Sequence, residues 1–331
     1  MRVARIPIPA TLWVLVVLLS VAPVGLARAQ DRGEMKSSDI EWVLGTRAWV
    51  TTGYTTWNFA GASIKPASEL RWRGVDSVIP ELDGELRWKR LVIIGTIAGG
   101  AVDQGVLIDD DFAFSGHQGR FSHTRSDVGG DRIEYASGDL GVRVLTLKPV
   151  GASPAGYLDY FLGYQYWHEQ YVAFGANGIL DLGPFGIPTV LNNTAPSGAK
   201  VITEDYFWHS LRLGMRTQIP VDWGLSVKAR AVLLPWTTTE MDDVHHLRTD
   251  LLQNPSFRSE AEGGFGYQLD AGLSYTVWKQ RLSIEAGYQY WGLDSGEGDK
   301  FTRAPSGTTR DKLLKISIER YGPYVGLQYR F

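Results

Sequence analysis

The chain has 331 residues, no cysteine and a formal net charge of −3 at pH 7. It therefore offers no disulfide, thiol nucleophile or thiolate metal ligand, and its charge gives no support to a nucleic-acid partner. Its 12 Trp, 15 Tyr and 12 Phe would form the core of an aqueous domain or the interfacial girdles of a transmembrane barrel.

Residues 1–29 have the pattern of a signal peptide. Two arginines precede an apolar run between Pro9 and Pro23, and a small-x-small cleavage pattern ends at Ala29. The run is shorter than the ~20 apolar residues of a spanning helix, and no later stretch reaches that length. We therefore expect an exported domain over residues 30–331 that is either soluble or a β-barrel.

Alternation of apolar and polar residues with a period of two predicts ten strands over the rest of the chain. The predicted strands are 41–57, 68–88, 91–111, 132–148, 156–178, 205–219, 225–243, 265–277, 282–290 and 316–331. One face of each strand is apolar and the other polar or glycine-rich, as expected between lipid and a crowded interior. Because a strand in lipid cannot leave an open edge, the last strand, which ends on Phe331, should pair with the first. The predicted fold class is all-β, a single ten-stranded antiparallel transmembrane β-barrel.

The connections between these strands alternate in length. Short turns lie near residues 89, 150, 221 and 279, and long segments rich in Gly, Pro, Ser and Asn cover 112–130, 180–204, 244–262 and 292–312. Short turns are typical of the periplasmic side of an outer-membrane barrel, and long loops of the extracellular side. We therefore expect extracellular loops, both termini in the periplasm and, with so few strands, a lumen filled by side chains.

Two polar clusters lie at the ends of two long predicted strands, Asp109 to Asp111 on the third and Asp243 with His245 on the seventh. The i, i+2 spacing places Asp109 with Asp111, and Asp243 with His245, on one side of each strand. His245 could take a proton from water, Asp243 could orient the imidazole, and the opposing carboxylates could hold the water. The hypothesis is that these four residues catalyse a hydrolysis.

Other interpretations of the two clusters remain. Counting from the lipid-facing residues turns the aspartates of the third strand inward but the Asp-His pair outward, unless the seventh strand slips by one residue. Pro235, which cannot donate to the ladder, is a plausible place for that slip. Acidic strand ends can also simply keep the rim of a barrel hydrated. Asp and His clusters can bind Ca²⁺ or Zn²⁺, although the sixth position from Asp109, a glycine in a Ca²⁺ loop, is Phe114.

The chain resembles the omptins, ten-stranded outer-membrane endopeptidases of Gram-negative bacteria. The family's paired aspartates and its Asp-x-His match the two clusters. The family also has a Trp seven residues before the aspartate of Asp-x-His, which Trp236 matches, and a closing Gly-Leu-x-Tyr-x-Phe, which residues 326–331 match. The resemblance implies that the Asp-His pair activates water for peptide-bond hydrolysis and that the paired aspartates assist. It also implies a polypeptide substrate, an outer-membrane lipid environment and a monomer, without a metal or organic cofactor.

The resemblance also indicates where substrate and lipid would bind. Asp110, Glu240 and Asp242 adjoin the two clusters and are candidate substrate-binding residues. Two positions before the catalytic aspartate, where the family has an acidic residue, this chain has Met241. The family's Tyr-x-Glu-x-Arg, used for lipopolysaccharide, reads Tyr-Gln-Tyr-Trp-His at 164–168, so lipopolysaccharide dependence is implied by the resemblance alone. The alternative function is a non-catalytic outer-membrane barrel, porin-like, serving transport or adhesion.

Overall fold

The computed structural model describes residues 40–331, and the predicted signal peptide lies outside this range. Antiparallel strands account for most of the described chain. They are β1 (Ile40–Ala60), β2 (Ser68–Trp88), β3 (Leu91–Phe114), β4 (Gln118–Val128), β5 (Arg132–Leu147), β6 (Gly156–Asp181), β7 (Val190–Asn192), β8 (Ala195–Asp222), β9 (Leu225–His245), β10 (Phe257–Trp278), β11 (Leu282–Asp294), β12 (Gly298–Ala304) and β13 (Gly307–Arg330). A 3₁₀ turn covers Gly183–Phe185. Between residues 40 and 331, no helix is long and apolar enough to cross a membrane.

The sheet closes into a ring of ten strand positions. β1 pairs with β13 along most of its length, with Val43 opposite Arg330 and Ala60 opposite Lys312. Two positions are each occupied by a pair of shorter strands: β4 and β5 both lie between β3 and β6, and β11 and β12 both lie between β10 and β13. The short β7 pairs with β6. The predicted ten-stranded antiparallel barrel is therefore confirmed.

The strands continue well beyond the segments that the alternation marked. The predicted long loops were wrong in part, because 112–130 contains β4, 180–204 contains the start of β8, 244–262 contains the start of β10, and 292–312 contains β12. β4, for example, reads Gln-Gly-Arg-Phe-Ser-His-Thr-Arg-Ser-Asp-Val and carries polar side chains on both faces. Where both faces of a strand meet water or polar groups, the backbone ladder persists but the period-two signal is lost.

Exposed apolar side chains form a belt around one part of the barrel. On β3 the belt includes Ile93 and Ile97, on β9 it reaches Trp236, and on β13 it includes Val325 and Leu327. Such a surface is unfavourable in water and suited to lipid. The ends of β3 and β9 that carry the two polar clusters lie beyond this belt.

Charged side chains fill the lumen at the level of the belt. Arg47 contacts Asp83 at 3.0 Å and Asp270 at 2.8 Å. Arg143 and Arg216 both contact Asp159, at 2.8 and 3.0 Å. The cavity among these residues has a volume of only about 50 Å³. The prediction of a lumen filled by its own side chains is therefore confirmed for the described residues.

Candidate active site

β9 changes the face that it presents to the interior partway along its length. Leu234 and Thr237 are both buried, which strict alternation would forbid. The register with both neighbouring strands shifts at this point, with one extra residue in β9. Pro235 lies within the shift, at the position where the sequence allowed a slip, and its missing N–H removes no ladder bond from a bulge. As a result, Asp243 and His245 are turned into the barrel.

β3 also changes face below its polar cluster. Val102 and Leu107 are both buried, so the alternation shifts by one between them. The pairing with β2 is irregular at the same level, where Gly74 has a φ of 55°. This backbone conformation favours glycine over residues with a Cβ atom. Above the shift, Asp109 and Asp111 point inward.

One cleft at the mouth of the barrel brings the two clusters together. It has a volume of about 440 Å³ and is lined by Asp109, Asp111 and His245. Asp243 is fully buried beside it, with its Oδ2 atom 3.0 Å from Nε2 of His245. The structure therefore brings all four candidate catalytic side chains together at one cleft.

Several contacts hold His245 in place. Its backbone N–H donates to Oγ of Ser256 at 3.1 Å, and the N–H of Ser256 donates to the carbonyl of Asp243 at 2.8 Å. The ring lies edge-on to Phe257, with centroids 5.0 Å apart. Among residues 40–331, Nδ1 of His245 has no hydrogen-bond partner, so that nitrogen is available to a water molecule in the cleft.

The electrostatic environment of the cleft raises the pKa values of three of its side chains, Asp109, Asp111 and His245. Burial, followed by the nearby Asp111, raises the pKa of Asp109 to about 8. Burial also raises the pKa of Asp111, against the effect of hydrogen bonds with Ser68 and Ser122. Burial alone would lower the pKa of His245, but the charge and hydrogen bond of Asp243 outweigh it, so the pKa is raised. Asp109 therefore keeps its proton near neutral pH, and the raised pKa makes His245 a stronger proton acceptor, as general acid–base chemistry requires.

The three candidate substrate-binding residues lie on the opposite face of their strands. Asp110 is buried on the outer wall, where it is bound by Arg71, by Arg120 at 3.3 Å and by Nδ1 of His123 at 2.7 Å. Adjacent residues of a strand point to opposite faces, so Asp110 cannot reach the cleft that Asp109 and Asp111 line.

Glu240 and Asp242 are separated from the cleft for the same reason. Both lie beside Arg258 on the outer wall, and Nη1 of Arg258 is 3.9 Å from Asp242. The structure therefore does not bring any of the three candidates to the cleft.

Several side chains at the site carried no signal in the sequence. Lys300 of β12 lines the cleft, with Nζ 3.7 Å from the ring centroid of Phe59 and 4.5 Å from that of Phe257. Arg248 also lines the cleft, so the cleft carries two cations as well as its carboxylates. Both residues fall in segments predicted as loops, where no alternation indicated which way they point. Among residues 40–331, no cluster of His, Asp or Glu has an arrangement suited to a metal ion.

The barrel is similar to the crystal structure of the outer membrane protease OmpT from Escherichia coli. The TM-score is 0.70 at 14% identity, and the match covers 88% of this chain and 97% of that one. The toluene transporter TbuX of Ralstonia pickettii matches at 10% identity over 90% of each chain, but its TM-score of 0.24 is too low to indicate a shared fold. No protein-family model matches the chain, and no curated protein matches it in sequence. At this identity, the similarity to OmpT establishes the barrel fold alone.

Proposed function

We propose that the protein is an outer-membrane endopeptidase that hydrolyses peptide bonds with a water molecule activated by Asp243 and His245. The observation that carries the proposal is the meeting of Asp109, Asp111 and the Asp243–His245 pair at one cleft, on strands that reach it only after a shift of face. Fold similarity to a protein described as an outer membrane protease supports the same conclusion.

The geometry suggests a role for each of the four side chains. Nδ1 of His245 takes a proton as the water oxygen attacks the carbonyl carbon, and Asp243 stabilises the imidazolium that forms. Asp109, which keeps a proton near neutral pH, donates a hydrogen bond to the developing oxyanion, while Asp111 helps to hold the water. The carbon–nitrogen bond then breaks, and the imidazolium returns its proton to the leaving amine.

The location proposed for the protein follows from the belt and the chain ends. The apolar belt would sit in the outer membrane, with the cleft beyond it on the extracellular side. The two ends of the barrel segment lie together, since Val43 is opposite Arg330, and we propose that both face the periplasm. Residues 1–29 would act as the export signal. A polypeptide in the extracellular medium is the proposed substrate, with the protein acting as a monomer.

The alternative of a porin-like barrel finds little support in the interior. The lumen at the level of the belt is filled by buried ion pairs such as Arg47 with Asp270, and the cavity beside them has a volume of only about 50 Å³. A ten-stranded barrel is also far narrower than the porins that leave an aqueous channel. A non-catalytic, adhesive role would be the better interpretation if hydrolysis is absent.

The test compares two neighbouring histidines. Refolded protein in detergent would be incubated with a mixed peptide library and cleavage followed by mass spectrometry. His245→Ala should abolish cleavage, because the general base is lost, whereas His246→Ala should retain it. His246 bonds to Thr203 at 2.8 Å on the other face of the strand. Equal loss in both variants, or no cleavage by the wild type, would contradict the proposal.

A further inference from the structure

A second buried carboxyl group lies directly behind the Asp-His pair. Glu204 of β8 is fully buried and lies opposite Asp243 of β9 in the strand register. Directly opposed residues on antiparallel strands point to the same face, with Cβ atoms about 4.5–5.5 Å apart. The carboxyl groups of Glu204 and Asp243 are therefore neighbours inside the barrel.

The two carboxyl oxygens of Glu204 differ in their hydrogen bonds. The indole N–H of Trp72 and the hydroxyl of Tyr206 both donate to its Oε2 atom. Its Oε1 atom is buried and has no hydrogen-bond partner among residues 40–331, and the same holds for Oδ1 of Asp243. A buried polar atom without a hydrogen-bond partner costs free energy of folding. Here two neighbouring residues each have an acceptor oxygen without a donor. A single proton between the two carboxyl groups would satisfy both.

The surroundings of Glu204 favour that proton. Glu169, which is equally buried, is neutralised by Arg320 at 2.9 Å, whereas the donors to Glu204 are an uncharged indole and a phenol. The titratable groups near Glu204 include Asp243 on β9, Asp109 on β3 and Tyr206 on its own strand. Burial, followed by the charge of Asp243, raises the pKa of Glu204 well above its usual range.

We propose that Glu204 is a positioning residue that stays protonated and donates its carboxyl proton in a hydrogen bond to Oδ1 of Asp243. This inference rests on the proposed function in so far as Asp243 and His245 form the catalytic pair. With Oδ1 held in this way, Oδ2 of Asp243 is kept directed at Nε2 of His245. Because Glu204 is neutral, it orients the pair without adding a second negative charge beside the imidazole.

The protonation state can be measured without any peptidase assay. The imidazole of His245 would be titrated by NMR in the refolded protein and assigned by its absence from His245→Ala. If Glu204 is a neutral donor, Glu204→Gln keeps both charge and hydrogen bond, and the pKa of His245 stays at the wild-type value. A fall in that pKa would mean that Glu204 was a carboxylate and would overturn the proposal. Glu81→Gln, at a buried glutamate bonded by Tyr135 deeper in the lumen, is the matched control and should leave the titration unchanged.

The positioning role is tested by activity. Glu204→Gln should retain kcat, since an amide N–H replaces the carboxyl O–H, whereas Glu204→Leu should lower kcat about tenfold with KM unchanged, as expected when one orienting hydrogen bond is removed. Wild-type kcat in Glu204→Leu would refute the role, as would equal losses in both variants. If Glu204→Leu does not fold, as judged by heat-dependent gel migration, the titration of Glu204→Gln still decides. If the wild type cleaves no peptide, the proposed function fails while the titration still tests the shared proton.

Discussion

Replacing Asp243 with asparagine would remove the charge of the partner of His245 while preserving the size of the side chain. The bond between Oδ2 and Nε2 is 3.0 Å long and fully buried on the aspartate side. Hydrogen bonds to charged groups contribute about 1.5–3 kcal/mol, and each 1.36 kcal/mol changes a rate tenfold. If the bond acts mainly on the imidazolium formed in the transition state, Asp243→Asn should lower kcat by about 10- to 150-fold.

The same substitution should change the pH dependence in a definite direction. A general base must be neutral, so activity falls as the pH drops through the pKa of His245. That pKa is raised because the charge of Asp243 outweighs the opposing effect of burial. Without that charge, burial dominates and the pKa falls. The acid limb of the rate profile should therefore move to lower pH, so the variant is slower but keeps a larger share of its activity in acid.

The assay is cleavage of a fluorogenic peptide, with kcat and kcat/KM measured across the pH range. Asp242→Asn is the matched control, since Asp242 adjoins Asp243 in sequence but lies near Arg258 on the outer wall. It should leave both the rate and the acid limb at wild-type values. An acid limb that stays in place in Asp243→Asn, or an equal loss of rate in Asp242→Asn, would contradict this role of Asp243.

Three further outcomes are expected. Asp109→Asn should raise the midpoint temperature of the heat-induced change in gel migration at neutral pH but not in strong acid. The reason is that the pKa of Asp109 in the folded protein, about 8, lies above its ordinary value of 3.8. Unfolding then releases a proton at every pH between these values, and an unchanged midpoint at neutral pH would contradict the raised pKa. The filled lumen should give little steady conductance in planar bilayers, and large stable channels would contradict it. Arg320→Met should destabilise the barrel by about 3–5 kcal/mol in urea unfolding, because buried Glu169 loses its partner. Arg310→Met, at an exposed pair with Asp299, should leave the unfolding curve unchanged.

The part of the barrel within the belt could be predicted from the sequence, because lipid on one side and a polar interior on the other impose alternation on every strand. β10 shows this well, with Phe265, Leu273 and Tyr275 exposed while Gln268 and Asp270 are buried. Closure also followed, since an open edge in lipid would leave backbone groups without partners. These constraints act on each strand separately and can therefore be recognised in a single sequence.

The part beyond the belt could not be predicted in the same way. In β4, Ser122 and Ser126 are buried while the charged Arg120 and Asp127 are exposed, so polar residues occupy both faces. The sequence of β4 therefore shows no alternation of apolar and polar residues, and the segment was predicted as a loop. The extension of the ladder is set by pairing with β3 and β6, which is a property of the whole fold.

The residues of the candidate site could likewise be predicted only in part. Spacing and family resemblance identified Asp109, Asp111, Asp243 and His245, and the missing N–H of proline indicated where β9 could slip. Glu204 could not be found, because its relation to Asp243 exists only across the pairing of β8 with β9. That Asp110, Glu240 and Asp242 face away from the cleft follows from alternation once the inward orientation of Asp109 and Asp243 is known.

The extra residue at Pro235 separates β9 into two segments of opposite phase. Below the bulge, the side chains must suit the thickness and chemistry of the bilayer. Above the bulge, they must suit the chemistry of the cleft. A strand built this way can acquire substitutions for a new membrane without changing the orientation of His245, and the reverse holds as well. Insertions or deletions of two residues above Pro235 would preserve the inward orientation, whereas a change of one would exchange the interior and exterior sets of side chains. The bulge thus turns the odd-numbered residues of one continuous strand outward below Pro235 and inward above it.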